Sequence, residues 1–332
     1  MGESFLATGS LASWVDGLRA THRVIAPVRR SGQVVFREIT RADDIAWDAG
    51  RADFSAKEFF LPASEAIVTW QPTENGVQAD APLLGRPQVL LGARPCDAHA
   101  LEVMDRLFLD DPVDLYYAER RAKTTLVGLA CTDGPWEGCF CTTVGGGPAE
   151  REHLDVLLTR ADGGYAVDVV SDKGRALVAS ARIEALEGRA PKQAPEVAAL
   201  PMAAADAWRR RFDDAFWGEL AERCLGCRTC TYDCPVCYCF DVRDRRLADG
   251  RVERLRCWDS CQGALCFVIA GGHNPRPTQA QRLRQRYMHK FLYYPAREGG
   301  AALCVGCGRC VVQCPVNIDI REVLARVAEV AP

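Results

Sequence analysis

The sequence predicts an α+β protein whose two domains differ in character. The N-terminal part of the 332-residue chain alternates segments of helical and strand periodicity. The C-terminal part carries two cysteine runs of the same spacing, separated by a long insert over 238–300. The Ala/Pro-rich stretch 189–205 has the composition of a linker. We therefore expect a mixed α/β domain over residues 1–195 and a mostly helical domain over residues 206–332.

The elements of the two domains follow from local periodicity. Helical spacing of apolar residues predicts helices at 10–20, 97–107, 150–158 and 173–187. Short apolar runs predict strands at 23–28, 33–39, 64–70, 88–92, 124–130 and 165–170. After the linker, one helix is predicted from the apolar side chains Trp208, Phe212, Phe216 and Leu220. This helix leads into the first cysteine run.

The two cysteine runs indicate the chemistry of the chain. Cys224-Leu-Gly-Cys227-Arg-Thr-Cys230-Thr-Tyr-Asp-Cys234-Pro235 recurs as Cys304-Val-Gly-Cys307-Gly-Arg-Cys310-Val-Val-Gln-Cys314-Pro315. This spacing, C-x2-C-x2-C-x3-C-P, is that of two-cluster ferredoxins, in which the fourth cysteine of each run binds the other cluster. A zinc site also uses C-x2-C pairs, but it needs no exchanged fourth cysteine.

The exchange of the fourth cysteine defines two ligand sets. We expect one [4Fe-4S] cluster on the first set, Cys224, Cys227, Cys230 and Cys314. We expect another on the second set, Cys304, Cys307, Cys310 and Cys234. Gly226 and Gly306 are predicted to allow close approach of the backbone. The C-terminal domain is therefore predicted to be a dicluster ferredoxin-type domain with a long insert.

A third set of cysteines lies in the N-terminal domain: Cys96, Cys131, Cys139 and Cys141. These residues are expected where strands end or in a Gly-rich loop, which is where α/β domains place functional groups. Four thiolates would complete the ligand set of a further [4Fe-4S] cluster. The alternative is that they are buried or redox-active thiols.

The insert contributes a fourth set: Cys237, Cys239, Cys257 and Cys261. These thiols are predicted to ligate another cluster, with Asp259 as an alternative ligand if Cys257 points away. The other interpretation is that Cys237 and Cys239 pack as buried, redox-silent thiols. The four sets use sixteen of the 17 cysteines and leave Cys266, which lies in an apolar run and is predicted to be a core residue. The sequence thus predicts at least two clusters and as many as four.

Charge and composition narrow the classes of function. The formal net charge is −3, but the segment 241–300 holds twelve Lys/Arg and six Asp/Glu, a local net charge of +6. The basic residues of this segment include Arg282, Arg284, Arg286 and Lys290, which alternate with apolar residues along a predicted helix. We expect these charges to offset negative clusters or to meet an acidic partner subunit, and not to bind nucleic acid.

Several common sites and segments are absent from the sequence. No apolar run reaches the roughly 18 to 20 residues of a membrane helix, and the N-terminus lacks the pattern of a signal peptide. The odd number of cysteines at metal-ligand spacings indicates a reducing compartment, so we expect a cytoplasmic protein without a membrane segment. Glycines 145–147 match neither a dinucleotide fingerprint nor a Walker motif, and no nucleophile-elbow or metalloprotease pattern occurs.

Several segments, taken together, resemble one family closely. They are CLGCRTCTYDCPVCYCFDV, RCWDSCQG, AGGHNPRP, the basic helix ending in HKF, CVGCGRCVVQCPVNIDI, GARPCDAHAL, YYAERR and CFCTTVGGGP. The chain is similar to the iron–sulfur β subunit of cytoplasmic NAD(P)-linked [NiFe] hydrogenases (sulfhydrogenases) and to the related A subunit of anaerobic sulfite reductase. The likeness covers most of the chain. Cys257 is an addition to the WDSC segment of the family.

This resemblance implies an electron-transfer subunit without a catalytic site of its own. A partner with FAD and a [2Fe-2S] cluster would exchange hydride with NAD(P)H, and this chain would pass single electrons onward. Catalytic and small subunits with a [NiFe] centre, or a sirohaem-type reductase, would complete the complex. Two other functions stay open at this stage: a self-sufficient iron–sulfur oxidoreductase, and an iron–sulfur regulatory or scaffold protein.

Overall fold

Two sheets are present in the computed structural model, which describes residues 4–81 and 85–329. The strands of the described residues are β1 (Ser4–Ala7), β2 (Arg23–Arg30), β3 (Gln33–Glu38), β4 (Ser64–Thr73), β5 (Gly76–Asp80), β6 (Gln88–Ala93), β7 (Thr124–Leu129), β8 (Val156–Ala161), β9 (Gly164–Val169), β10 (Ile183–Ala185), β11 (Phe240–Arg246) and β12 (Val252–Trp258). The larger sheet has the order β10-β1-β9-β8-β7-β6-β2-β3, and the smaller one has the order β11-β12-β4-β5.

Helices flank the large sheet and form most of the C-terminal part. The α-helices of the described residues are α1 (Thr8–Thr21), α2 (Pro95–Phe108), α3 (Leu115–Ala122), α4 (Asp172–Val178), α5 (Ala205–Arg210), α6 (Phe216–Arg223), α7 (Thr229–Tyr232), α8 (Gln279–Met288), α9 (Tyr294–Arg297), α10 (Arg309–Val312) and α11 (Ile320–Ala328). A π-helical segment, His289–Tyr293, links α8 to α9. Within the described residues, no helix is long and apolar enough to cross a bilayer.

The centre of the large sheet is parallel. Strands β2, β6, β7 and β8 pair in parallel, and the outer strands pair antiparallel. Every residue of β6 and β7 is buried, as expected for parallel strands covered on both faces. One core cluster contains Trp14 and Leu18 of α1, and a second contains Leu101 and Met104 of α2. The carboxyl ends of β6 and β7 lie side by side and lead directly to Cys96 and Cys131.

The small sheet joins the insert to the N-terminal part. The hairpin β11–β12 lies within the insert, and β12 pairs antiparallel with β4. Cys257 is opposite Ser64 in this pairing. A second contact between the two parts is a core cluster in which Ala100 and Val103 of α2 pack with Cys234 and Cys307. The two cysteine runs therefore lie against the N-terminal α/β part.

The predicted α+β class is confirmed, and several predicted elements differ from the observed ones. The helix predicted over 150–158 is wrong, because β8 begins at Val156 and pairs in parallel with β7. A short apolar run cannot be assigned to helix or strand by periodicity alone, and sheet pairing decides it here. The helix predicted over 173–187 ends at Val178, and Ile183–Ala185 forms edge strand β10. The single helix predicted after the linker is two helices, α5 and α6.

Candidate iron–sulfur sites

The first set surrounds a small cavity in the C-terminal part. Its four cysteines, Cys224, Cys227, Cys230 and Cys314, line this cavity together with Gly226, Arg286 and Tyr287. Gly226 has a φ of +64°, a left-handed conformation that lets the chain turn around the cavity. Cys227 is exposed, whereas burial raises the pKa of Cys230 to about 12. The structure therefore brings together the four cysteines of the first set, including Cys314 from the other run. One of the four, Cys227, lies at the surface.

The second set lies deeper. Cys234, Cys304 and Cys307 are each about 8% exposed. Burial raises the pKa of Cys304, Cys307 and Cys310, and the nearby charge of Cys234 raises it further in all three. Cys234 is thus a close neighbour of the three cysteines of the other run. Its own pKa is lowered because the Cys237 thiol donates a hydrogen bond to it and because Lys290 and Lys57 are close.

The third set is brought together where both parts of the chain meet. Burial raises the pKa of Cys131 to about 12, and the nearby Cys139 and Cys141 add to that rise. Cys96, at the first turn of α2, has neighbours in Cys131 of its own set and Cys307 of the second set. Residues that are 35 positions apart in the sequence therefore share one site, because adjacent parallel strands end at the same edge of the sheet.

A loop from the N-terminal part connects the third set to the second. The backbone N–H of Phe140 donates to the carbonyl of Gly306 (2.8 Å), and the Cys139 Sγ lies 3.6 Å from the Cys307 carbonyl oxygen. Gly306 has a φ of +61°, and a Cβ at this position would lie 2.5 Å from the Phe140 carbonyl. Glycine is therefore required at this position for close contact with the loop that bears Cys139 and Cys141.

The fourth set is only partly brought together. The Cys239 thiol is hydrogen-bonded to the thiols of Cys261 and Cys266, and Cys237 has Cys234 and Cys261 as neighbours. Cys257 lies on β12 with its Sγ 3.5 Å from the Ser64 Oγ. The prediction of Cys266 as a core residue is wrong, because Cys266 is half-buried and is hydrogen-bonded to Cys239. The turns after Cys261 bring Cys266 to Cys239. The C-x4-C spacing of Cys261 and Cys266 was the only feature of the sequence that could have indicated this contact.

Asp259, the alternative ligand, lies beside the same thiols. Its backbone N–H donates to the Cys239 carbonyl (2.8 Å), and its Oδ1 accepts from the Ser260 N–H (2.7 Å). One carboxylate oxygen is therefore already used by the turn. Cys239 is in contact with Cys261 and Cys266, whereas Cys257 is in contact with Ser64.

Buried cations accompany the first two sets. Lys290 is 2% exposed and donates to the Cys234 Sγ (3.4 Å) and the Leu303 carbonyl (2.9 Å). Arg286 is 4% exposed; burial alone would lower its pKa, but Cys230 and other nearby groups raise it. Burying a cation is costly unless negative charge lies close by. This arrangement agrees with the expectation that the basic residues of the insert offset negative clusters.

Two buried arginines beside the cysteines have N–H groups without a hydrogen-bond acceptor. Among the described residues, Arg309 Nη1 and Arg286 Nε are buried without a hydrogen-bond partner, as is the Tyr287 hydroxyl. Cys307 and Cys96 are close neighbours of Arg309, and Cys230 and Cys310 are close neighbours of Arg286. Unpaired buried donors are rare in native proteins. Cluster sulfides held by these cysteines would be suitable acceptors, so the donor set fits the predicted [4Fe-4S] groups.

The sequence did not single out the cations that come from outside the insert. Lys57 is buried in the N-terminal part, where its Nζ donates to the Cys237 carbonyl (2.8 Å) and lies 4.1 Å from the centre of the Trp258 ring. Arg51 donates to the Cys139 Sγ (3.3 Å) and to the Cys307 carbonyl. Arg309 is fully buried and forms an ion pair of 2.8 Å with Asp97. No local motif indicates these partners, since each pair is distant in sequence.

Comparisons with known proteins found a matching domain family and a related protein. A family model described as a 4Fe-4S dicluster domain matches residues 223–318, which span both cysteine runs and the insert. Sulfhydrogenase 2 subunit beta of Pyrococcus furiosus is 33% identical over 329 residues, covering 94% of this chain and 94% of that protein. No solved structure matches the chain. The predictions of [4Fe-4S] clusters and of the family are confirmed. The chain is an electron-transfer iron–sulfur protein, and it belongs to the family of sulfhydrogenase β subunits.

Proposed function

We propose that this chain relays single electrons between an NAD(P)H-oxidising subunit that holds FAD and a [2Fe-2S] cluster and a catalytic subunit, with [NiFe] hydrogenase as the terminal enzyme. The observation that carries the proposal is the contiguity of the first three sets. Cys230 of the first set is a neighbour of Cys310, and the Cys139 sulfur of the third set lies against the Cys307 carbonyl of the second. When bound, [4Fe-4S] clusters supply one-electron carriers.

The proposed cluster ligands follow the pattern in which the fourth cysteine of each run binds the other cluster. Cys224, Cys227, Cys230 and Cys314 hold one cluster, and Cys304, Cys307, Cys310 and Cys234 hold the next. Cys96, Cys131, Cys139 and Cys141 hold a third cluster between the α/β part and the ferredoxin-type part. The gathering of each set around shared neighbours supports these assignments. The buried Lys290 and Arg286 stabilise the negative charge that each added electron brings.

A fourth centre belongs to the same proposal with one change of ligand. Cys237, Cys239 and Cys261 supply three thiolates, and Cys266 replaces Cys257, because the Cys239 thiol is hydrogen-bonded to the thiols of Cys261 and Cys266. Replacing Cys266 with Ala should therefore lower the iron content, whereas the same change at Cys257 should not. Equal iron content in the two variants would indicate that the thiols of the fourth set pack in the protein and do not bind a cluster.

The first set is the proposed point of exchange with a partner. Cys227 is exposed, and Leu225, two residues before it, is 69% exposed. A groove of 950 Å³ begins beside Cys227 and is lined in part by Arg37, Tyr232 and Trp258. A subunit seated in this groove would bring its redox group close to the first set. The catalytic and small subunits would then receive electrons from the other end of the series.

The groove also supports a second candidate function. A self-sufficient oxidoreductase needs a substrate site next to a redox centre, and this groove lies against Cys227. The A subunit of an anaerobic sulfite reductase-type complex is a variant of the relay with a sirohaem-type partner. The complex is proposed to be cytoplasmic, because 17 free cysteines suit a reducing compartment.

Stopped-flow absorption distinguishes the relay from the self-sufficient enzyme. Anaerobically purified chain, with its iron and sulfide content measured, is mixed with NADH or NADPH. We expect no bleaching of the cluster absorbance until the FAD-containing partner is added. Rapid bleaching of the isolated chain by NADPH would contradict the relay and favour the second function. Identification of the subunits that co-purify with the chain separates hydrogenase from sulfite reductase.

A further inference from the structure

A group of imidazoles and carboxylates lies outside the cysteine sets. His99 and Glu102 are three residues apart on α2 and therefore share one face of that helix. Glu150 and His153, also three apart, lie in the segment before β8. The rings of His99 and His153 stack with centroids 5.1 Å apart at an interplanar angle of 20°. Two short pairs from distant parts of the chain thus converge at one point.

The donor atoms of this group are close enough to share an ion. One ligand atom each from His99, Glu102 and His153 lies within 4.8 Å of the other two. Among the described residues, the Nδ1 atom of His99 is buried without a hydrogen-bond partner. Burial lowers the pKa of His99, which favours the neutral imidazole that a metal binds. Two imidazoles and one carboxylate, with positions left for water, form a common ligand set for zinc and ferrous iron.

Glu150 orients the second imidazole. Its Oε1 lies 3.2 Å from the His153 Nε2, and its Oε2 accepts the backbone N–H of Gly147 (3.1 Å). A carboxylate that holds the other nitrogen of a ligating histidine is a usual outer partner at metal sites. Arg106 donates to the Glu102 Oε1 (2.6 Å), which leaves the second oxygen of that carboxylate for a ligand. The group therefore has both the donors and the support that a metal site needs.

We propose that His99, Glu102 and His153 form a site for one divalent transition-metal ion of the zinc type, with Glu150 as the positioning carboxylate. The bound ion would link α2 to the Gly-rich loop, because Glu150, the partner of His153, accepts the backbone N–H of Gly147. The neighbouring Gly146 N–H donates to the carbonyl of Cys141 (3.0 Å). The ion would thereby hold the loop that carries two cysteines of the third set. The proposal does not depend on the direction or the terminal acceptor of the electron relay.

Zinc loading of the intact chain tests the proposal. The full-length protein, purified anaerobically with its clusters, is dialysed against Zn²⁺ and freed of excess, and zinc and iron are measured in the same sample. We expect His99→Ala and His153→Ala to lose the zinc that wild type retains, with iron unchanged. His273→Ala is the matched control, since His273 is an exposed histidine outside the group, and it should keep both metals. Equal zinc in all four proteins would overturn the proposal.

Two further measurements cover zinc bound elsewhere and variants that misfold. X-ray absorption at the zinc edge should show a nitrogen and oxygen shell near 2.0 to 2.2 Å, whereas a sulfur shell near 2.3 Å would assign the zinc to cysteines and refute the site. Glu150→Gln preserves the shape of the side chain and should weaken zinc binding about 10- to 100-fold with normal iron content. Unchanged zinc affinity in Glu150→Gln would contradict its positioning role.

Discussion

The first and second sets share one sequence motif but lie in different surroundings. Cys227 of the first set is exposed, and Leu225 beside it is 69% exposed. The equivalent Cys307 of the second set is 8% exposed, and Lys290 and Arg309 are buried next to that set. The same spacing therefore produces one site with access to a partner and one enclosed site. The motif sets the spacing of the cysteines, and the surrounding chain sets their exposure and the local charge.

One pair of equivalent positions contributes to the difference in exposure. Arg228 and Gly308 both have a left-handed backbone, with φ values of +68° and +73°. A Cβ at Gly308 would lie 2.5 Å from the Gly138 carbonyl oxygen, so glycine at this position lets the loop before Cys139 pack on the second run. At Arg228 the side chain is half-buried and faces Gly263. The loop covers the second set and leaves the first set open.

Loss of a single ligand gives the largest expected effect. Cys227→Ser and Cys307→Ser should each remove or convert one cluster, a loss of up to about 4 iron atoms per chain, and leave the other cluster largely intact. Iron analysis and low-temperature EPR of each variant measure this. Because Cys307 is buried and Cys227 is exposed, Cys307→Ser should also lower the unfolding midpoint more. Unchanged spectra in both variants would remove the basis for the ligand assignment.

The buried ion pair beside the second set should give the next largest effect. Arg309→Ala leaves Asp97 buried without its cation, which should destabilise the protein by about 3–5 kcal/mol. The matched control is Thr229→Ala, because Thr229 is the equivalent residue of the first run and has no such charge. Guanidinium unfolding followed by cluster absorbance provides the comparison. Adding Asp97→Asn to an Arg309→Met variant should restore part of the stability, because the unpaired buried carboxylate is then removed. Equal losses of stability in Arg309→Ala and Thr229→Ala would contradict the enclosed character of the second set.

Removing a buried charge should shift a reduction potential without removing a cluster. Lys290→Met takes away the donor to the Cys234 Sγ, so the second cluster should become harder to reduce. We expect a negative shift on the order of 60 mV, a tenfold change for a one-electron couple. EPR-monitored redox titration measures it. The control is Arg284→Met, because Arg284 lies on α8 and forms an ion pair with Asp213 (3.2 Å). A shift in the reduction potential of the first cluster alone would contradict the assignment of Lys290 to the second cluster.

The smallest effect is expected at the exposed end of the series. Leu225→Gln changes a side chain that is mostly in solvent, so stability should change by less than about 0.5 kcal/mol and iron should be retained. If the partner seats beside Cys227, the rate of cluster reduction by the FAD-containing subunit should still fall. Stopped-flow reduction with and without the partner measures this. An unaltered rate would move the docking surface away from the first set.

Features that are encoded by neighbouring residues are the ones that the sequence predicts best. The C-x2-C-x2-C-x3-C-P spacing predicts [4Fe-4S] clusters, and the match to a dicluster domain confirms them. The exchange of Cys234 and Cys314 between the two clusters stays a prediction. Strands β2, β3, β6 and β7 were likewise predicted from short apolar runs. The α+β class followed from the same alternation of periods. Each of these features depends on residues that are close in the sequence.

Tertiary structure decided what depends on distant partners. Pairing of β12 with β4 placed Cys257 beside Ser64, and the turns after Cys261 brought Cys266 to Cys239. Sheet pairing made a strand of the segment at Val156, where periodicity had indicated a helix. Arg309 meets Asp97 across 212 positions of sequence, so no local pattern could predict that a buried cation would enclose the second set. The sequence by itself determined the spacing of the two cysteine runs and the presence of [4Fe-4S] clusters. The packing of the α/β part against both runs determined which cysteines are enclosed, because burial and charge are properties of the surroundings and not of the motif.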